Sequence, residues 1–179
     1  EGRKAIIVGD RGHAEVTGLL GHADGNGFVV ENTDDVENLP EMASACVIAQ
    51  TTHDKKVFDE IVRKTKEKIS DVRVFDTICA STSMRQKEVA ELAKEVDAMV
   101  IVGGRNSANT KRLHEISLST GIPSFHIENE DELDGLGLER FNDIGVMAGA
   151  STPNWVITKV MERLDALLKK RQGRLFRFL

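Results

Sequence analysis

The sequence repeats itself. Ile7-Val8-Gly9-Asp10-Arg11 aligns with Ile101-Val102-Gly103-Gly104-Arg105, and Leu19 with Leu113. Phe28-Val29-Val30-Glu31-Asn32 aligns with Phe125-His126-Ile127-Glu128-Asn129, and Val47-Ile48-Ala49-Gln50-Thr51-Thr52 with Val146-Met147-Ala148-Gly149-Ala150-Ser151. The offset drifts only from 94 (Ile7 to Ile101) to 99 (Val47 to Val146), and such matches in one order make chance improbable. A chain built this way folds as two equivalent units. The first is placed at about 1–96 and holds the Cys79 loop; the second, at about 97–179, ends in a long helix and a basic tail, with segments allowed to cross between the units.

Within each copy, short apolar runs alternate with longer segments of helical period. Strands are predicted at Ala5–Gly9, Phe28–Glu31, Ala45–Ala49, Val72–Phe75, Ala98–Gly103, Ser124–Ile127 and Ile144–Ala148. Helices are predicted at His13–His22, Thr33–Leu39, His53–Ile69, Thr82–Val96, Ser107–Thr120 and Pro153–Lys170. In the fourth helix, Val89, Leu92, Ala93 and Val96 form a buried stripe on an otherwise charged surface. Strict alternation implies an α/β fold with parallel sheets and right-handed crossovers, both faces covered, which accounts for nearly continuous apolar strands.

Composition narrows the function classes. Charges nearly balance, with 24 Lys+Arg against 29 Asp+Glu and a net charge of −5, which argues against a general nucleic-acid binder. No apolar run approaches the roughly 18 residues of a membrane span, so a protein without membrane association is expected. Cys46 and Cys79 set no disulfide framework, and a reducing, cytoplasmic setting follows. Residue 1 is Glu rather than Met, and an apolar run begins within five residues, so the chain reads as a piece of a longer polypeptide.

In parallel sheets, ligands sit beyond the carboxyl ends of the strands, where the following helices present N-terminal N–H groups. The segments there are Gly9–Glu15, Gln50–Thr52, Gly103–Asn109 and Ala148–Ser151. In the repeat, His13 and Glu15 stand where the second copy has Ser107 and Asn109, and Thr52 stands where it has Ser151. Such hydroxyls, amides and imidazole suit a phosphate or diphosphate, which needs many donors. Each of Ser107, Asn109, Thr52 or Ser151 alone reads as a helix N-cap; the coincidence across both copies favours a ligand.

Cys79 lies between a strand and a helix, where the helix N-terminus favours a thiolate and hence a metal ligand or reactive group; the alternative is a small buried hydrophobe. Cys46 sits inside an apolar strand and is assigned to the core. His13 and Glu15 at a strand-to-helix turn would serve as phosphate donor and proton carrier, or Glu15 would simply favour the helix N-terminus by its charge. His22, His53, His114 and His126 have surface or satisfied roles. Neither glycine-containing loop makes a nucleotide fingerprint. The tail, with Lys169, Lys170, Arg171, Arg174 and Arg177 beside Leu175, Phe176, Phe178 and Leu179, is expected to dock on the domain or on a partner.

Five motifs stand in order: Gly12-His13-Ala14-Glu15-Val16; Gln50-Thr51-Thr52; Thr77-Ile78-Cys79 with Thr82 and Arg85-Gln86; Asn106-Ser107-Ala108-Asn109 with Arg112-Leu113; and Ala148-Gly149-Ala150-Ser151 with Pro153. In order and spacing they resemble the 4-hydroxy-3-methylbut-2-enyl diphosphate reductase (LytB/IspH) family. The resemblance runs from about Lys4 to Leu164. It implies the last step of the non-mevalonate isoprenoid pathway, a two-electron removal of an allylic hydroxyl that yields isopentenyl and dimethylallyl diphosphates. It also implies three similar α/β domains in pseudo-threefold arrangement around a [4Fe-4S] cluster, with ferredoxin or flavodoxin as electron donor.

Carried over by position, Cys79 is similar to a cluster ligand. His13, Thr51, Thr52, Ser107, Ala108, Asn109 and Ser151 resemble the substrate-binding set, and Glu15 resembles the proton source, with Thr51 and His13 beside it in the catalytic group. Ala108 departs from a serine common in the family, leaving its backbone N–H for the role. The family's N-terminal domain, with two further cluster cysteines, would precede Glu1. The expectation is therefore the second and third domains of a reductase, inactive alone. The alternatives are a cluster-free diphosphate-binding module and a subunit of a split enzyme.

Overall fold

The computed structural model describes residues 2–168 and 176–178. The chain divides into two compact units between Ser83 and Met84. The first contains β1 (Lys4–Val8), α1 (Ala14–His22), β2 (Gly27–Val30), α2 (Thr33–Glu37), β3 (Ser44–Ala49), α3 (Lys55–Lys68) and β4 (Asp71–Val74). It ends in the first turn of α4 (Ala80–Leu92). The second contains the rest of α4, β5 (Ala98–Val102), α5 (Ala108–Ser119), β6 (Ser124–Ile127), β7 (Ile144–Ala148), α6 (Asn154–Leu168) and β8 (Phe176–Phe178), with 3₁₀ turns at Glu130–Leu133 and Leu138–Arg140.

The division falls inside α4, upstream of the 96/97 position expected from the sequence. Its stripe of Val89, Leu92, Ala93 and Val96 packs with Met99, Ile101, Leu113 and Met147, so most of the helix belongs with the second sheet.

The two sheets have the same topology, β2-β1-β3-β4 and β6-β5-β7-β8, and every pairing is parallel. The register is also shared: Val8 lies beside Val30 and Ala49, and Val102 beside Ile127 and Ala148. The repeat in the sequence is thus a repeat of structure. All seven expected strands and all six expected helices are present, with ends shifted by the caps. α3, for example, starts where the Asp54 carboxylate accepts from the Lys56 and Val57 N–H groups at 2.8 and 3.1 Å. It buries Phe58 and Ile61 against the first sheet, and its last residue, Lys68, donates to the carbonyls of Val36, Glu37 and Leu39 at the end of α2.

Coverage of the sheet faces differs between units. β5 and β7 are buried at every residue, as expected for parallel strands between two helical layers. β3 instead alternates, with Ala45, Val47 and Ala49 buried and Ser44, Cys46 and Ile48 half-buried. Cys46 is therefore a partly covered strand residue rather than a full core member. In the second unit α4 and α5 both pack residues onto that face, whereas in the first α1 is the helix there.

Phe176–Phe178 form β8, paired in parallel with β7 in the position that β4 takes beside β3. This part of the tail docks on its own domain. Lys169, Lys170, Arg171, Arg174, Leu175 and Leu179 lie outside the described residues. Among the described residues no helix is long and apolar enough to cross a membrane.

Gly9 ends β1 where the chain must pass close to two side chains. A Cβ there would lie 2.7 Å from Val16 Cγ2 and 2.8 Å from Gln50 Cβ, whereas one at Gly12 would meet nothing within 4 Å. Gly9→Ala is expected to lower the unfolding free energy by about 1–3 kcal/mol, and Gly12→Ala to change it by less than about 0.5 kcal/mol, in urea titrations followed by circular dichroism.

Candidate functional site

In each sheet the chain leaves the first central strand toward one edge and the second toward the other. β1 and β3, and likewise β5 and β7, therefore flank a topological switch point, the place in an open parallel sheet where loops diverge and leave a crevice. The loops at these points carry the residues singled out by the repeat. Their backbones match bond for bond. Gln50 N–H donates to Val8 O at 2.8 Å and Gly149 N–H to Val102 O at 2.9 Å; His13 N–H donates to Asp10 O at 3.0 Å and Ser107 N–H to Gly104 O at 2.9 Å. His53 N–H closes a turn on Gln50 O, and Thr152 N–H closes the same turn on Gly149 O.

In the first unit these loops hold a connected polar chain. His13 caps α1, its Nδ1 accepting from Glu15 N–H at 3.2 Å, so the ring proton resides on Nε2 as an available donor. The Glu15 carboxylate accepts twice from Thr51: from its N–H at 2.9 Å on Oε1, and from its hydroxyl at 2.9 Å on Oε2. The Thr51 carbonyl accepts from Cys79 N–H at 3.0 Å, bringing the cysteine to the same loop. Thr52 Oγ1 accepts from Gln50 Nε2 at 3.0 Å. His13, Glu15, Thr51, Thr52 and Cys79, remote in sequence, thus form one neighbourhood.

Gln50 and Thr77 organise this neighbourhood, and sequence reasoning gave neither a role. Gln50 is buried; its Oε1 accepts from Asp10 N–H at 2.9 Å and its Nε2 reaches Asp10 Oδ2 at 3.2 Å, locking the loop after β1 to the loop after β3. Thr77 Oγ1 accepts from Ala49 N–H at 2.8 Å and donates to Ala49 O at 2.6 Å, tying the approach to Cys79 onto the end of β3. For Gln50 the available signal was a polar residue directly after an apolar strand.

In the second unit Ser107 is the N-cap of α5, its Oγ accepting from Thr110 N–H at 3.3 Å. Ala108 opens the helix and is half-buried. Asn109 is only 7% exposed, yet neither its Oδ1 nor its Nδ2 has a hydrogen-bond partner. Thr110, fully buried, has an unpartnered Oγ1 as well. Such groups normally cost 1 kcal/mol or more, roughly, unless something satisfies them. Gly103, at φ 152°, and Gly149 both pass against Thr110: a Cβ on either would fall 2.7 or 2.2 Å from its Oγ1. Ser151 is exposed in the turn after Gly149.

Cys79 is exposed, immediately ahead of α4. Its thiol is held below the ordinary range for cysteine, first by the Ser81 hydroxyl, 3.1 Å from Sγ, and then by the N–H groups of Ser81 and Thr82. An exposed thiol whose ionisation is favoured in this way could serve as a metal ligand or a nucleophile. Among the described residues no group of three or more His, Cys, Asp or Glu is placed to hold a metal ion. Of the remaining histidines, His114 Nε2 lies 3.2 Å from Ser124 O and His126 Nε2 lies 2.8 Å from Gly103 O.

Fold and loops together define a paired α/β protein with polar, donor-rich strand ends. Residues 1–165 match the family model described as LytB protein, and the chain belongs to that family. It is 40% identical over 97% of its length to the 4-hydroxy-3-methylbut-2-enyl diphosphate reductase of Geobacter sulfurreducens, and covers 61% of that protein. It is 43% identical to the Clostridium perfringens protein of the same name, with 93% of this chain and 59% of that protein aligned. The chain thus spans about three fifths of these curated relatives.

Among solved structures, the E-1-hydroxy-2-methyl-but-2-enyl-4-diphosphate reductase of Plasmodium falciparum superposes with a TM-score of 0.87 at 25% identity, over 99% of this chain and 56% of that one. A second, described as (E)-4-hydroxy-3-methyl-but-2-enyl diphosphate reductase, the terminal enzyme of the non-mevalonate pathway, has a TM-score of 0.53 at 39% identity, over 92% of this chain and 60% of that one.

Because the folded Cys79 thiol ionises below its unfolded value, the folded state gains from it at higher pH and loses that gain as pH falls through the folded pKa. In a Cys46→Ser background, the rate of iodoacetamide alkylation is expected to rise with a midpoint below that of the same chain in urea. Ser81→Ala is expected to move the folded midpoint upward.

Proposed function

We propose that this chain supplies the diphosphate-binding and proton-donating parts of a 4-hydroxy-3-methylbut-2-enyl diphosphate reductase. The observation that carries the reading is Asn109, a buried amide with both polar atoms unspent, next to the capping hydroxyl of Ser107. A phosphate oxygen accepting from Asn109 Nδ2 would remove part of that cost, and the Ser107 and Ser151 hydroxyls with the Ala108 N–H would add donors. In the first unit His13 Nε2 and the Thr52 hydroxyl are donors of the same kind, in the positions equivalent to Ser107 and Ser151.

The reaction removes an allylic hydroxyl. The carbon–oxygen bond breaks, the oxygen leaves as water after taking a proton, and two electrons with a second proton complete the isopentenyl and dimethylallyl diphosphate products. Hydroxide is a poor leaving group, so a positioned acid is required. Glu15 in its protonated form is that acid, and the Thr51 hydroxyl, 2.9 Å from its Oε2, relays the proton by rotating from donor to acceptor toward the carboxyl. The two hydrogen bonds that Thr51 donates fix the carboxyl orientation.

Cys79 is the residue of this chain that would hold a [4Fe-4S] cluster, together with cysteines from the remainder of the polypeptide. When bound, such a cluster supplies the electrons, drawn from a ferredoxin or flavodoxin, and a Lewis-acidic iron for the substrate oxygen. The free state of both cysteines supports a reducing, cytoplasmic setting.

In a polypeptide of the relatives' full length, Glu15→Gln is expected to abolish reduction while substrate affinity stays within about twofold; loss of binding instead would remove Glu15 from the acid role. In this chain, Asn109→Ala is expected to weaken inorganic diphosphate binding by about 1–3 kcal/mol in calorimetry, and an unchanged affinity would place the phosphate site elsewhere.

A further inference from the structure

The repeat preserves an arginine and a Glu-Asn pair that the proposed chemistry does not use. In the first unit Arg11 follows β1, and its N–H donates to Glu31 Oε1 at 2.8 Å. Its guanidinium bridges Glu31 Oε2 at 3.0 Å and Asp35 Oδ2 at 2.7 Å. The Glu31 N–H in turn donates to Asp35 Oδ2 at 2.9 Å. In the second unit the same clasp recurs. Arg105 N–H donates to Glu128 Oε1 at 2.6 Å, its guanidinium pairs with Glu132, and Glu128 N–H donates to Glu132 Oε1 at 3.0 Å. Asn32 and Asn129 complete the match by capping the turns that carry Asp35 and Glu132.

We infer that Arg11 and Arg105 are positioning residues, each clasping the loop after the first central strand to the end of the neighbouring edge strand, and so holding His13 and Ser107 in place. The inference rests on the diphosphate reading of those loops. Direct phosphate binding by these arginines is the competing role, and the charges argue against it. One cation between two carboxylates leaves a net −1 in each clasp, the wrong sign to recruit an anion. Arg11 commits Nε to Glu31 and a terminal nitrogen to Asp35, and Arg105 commits a terminal nitrogen to Glu132 with its Nε 4.0 Å from Glu128 Oε2. Two residues after each arginine comes the cap, His13 or Ser107, whose own N–H closes a turn on residue 10 or 104. Fixing the arginine backbone therefore fixes the cap. The ion pairs are exposed and add little to global stability; what they determine is local.

The test turns on sign. Glu128→Ala removes a negative charge near the proposed phosphate loop, so electrostatics alone would tighten anion binding. The clasp requires the opposite: inorganic diphosphate affinity of the full chain should fall about tenfold at constant ionic strength. Glu128→Gln, whose amide oxygen still accepts from Arg105 N–H, should recover it to within about threefold of the parent. Independently of any ligand, hydrogen exchange at the Arg105 and Ser107 amides should accelerate about tenfold in Glu128→Ala while the β5 amides stay unchanged. Unchanged exchange, or tighter binding in both variants, overturns the inference. Faster exchange in a chain whose parent binds no diphosphate keeps the clasp and removes the diphosphate reading instead.

Discussion

Parallel pairing of β1 with β3, and of β5 with β7, is the constraint on which everything else depends. Parallel strands end on the same side of their sheet, so the loops after the two central strands emerge side by side. Because the crossovers run to opposite edges, those loops also part from each other. Backbone donors at the following helices, small residues that allow close passage, and polar side chains are then brought to one place. Gly9 beside Gln50, and Gly103 and Gly149 beside Thr110, occur where that crowding is greatest.

The same scaffold has been furnished differently in its two copies. In the first, Gln50 fills the crevice with an internal amide that satisfies Asp10 and Thr52, and the residues left over, Glu15, Thr51 and Cys79, are linked to one another. In the second, glycine replaces Gln50 at position 149, and the buried polar atoms of Asn109 and Thr110 are left without partners. One copy uses its hydrogen bonds to link Glu15, Thr51 and Cys79. The other has kept donors in reserve, which suits a ligand rich in acceptor oxygens.

Much of this was legible in the sequence. Strand–helix alternation and the repeat revealed the fold class, the strands that form the centres of both sheets, and the pairs His13/Ser107 and Thr52/Ser151. β8 was not legible, because three residues with a central arginine carry neither length nor an apolar run; its place is known only from pairing with β7. The division between units was also hidden. A stripe of Val89, Leu92, Ala93 and Val96 announces burial, yet says nothing of which sheet receives it. Cys46 read as core because strand composition does not reveal that one face is less covered. Gln50, Thr77 and the Glu31 and Glu128 carboxylates act through bonds to distant backbone, so their roles emerge only once loops remote in sequence are neighbours.

The central claim is that the carboxyl ends of the central strands are the ligand-binding ends, with Asn109 at the heart of the second. Titrating isotopically labelled chain with inorganic diphosphate, followed by amide ¹H–¹⁵N spectra, tests it most directly. The account predicts shifts at the amides of residues 107–110 and 149–152 and at the Asn109 side-chain NH₂. Shifts confined to the amino ends of the strands, such as Met42–Ala43 or Ile122, or no shifts at all, would contradict it.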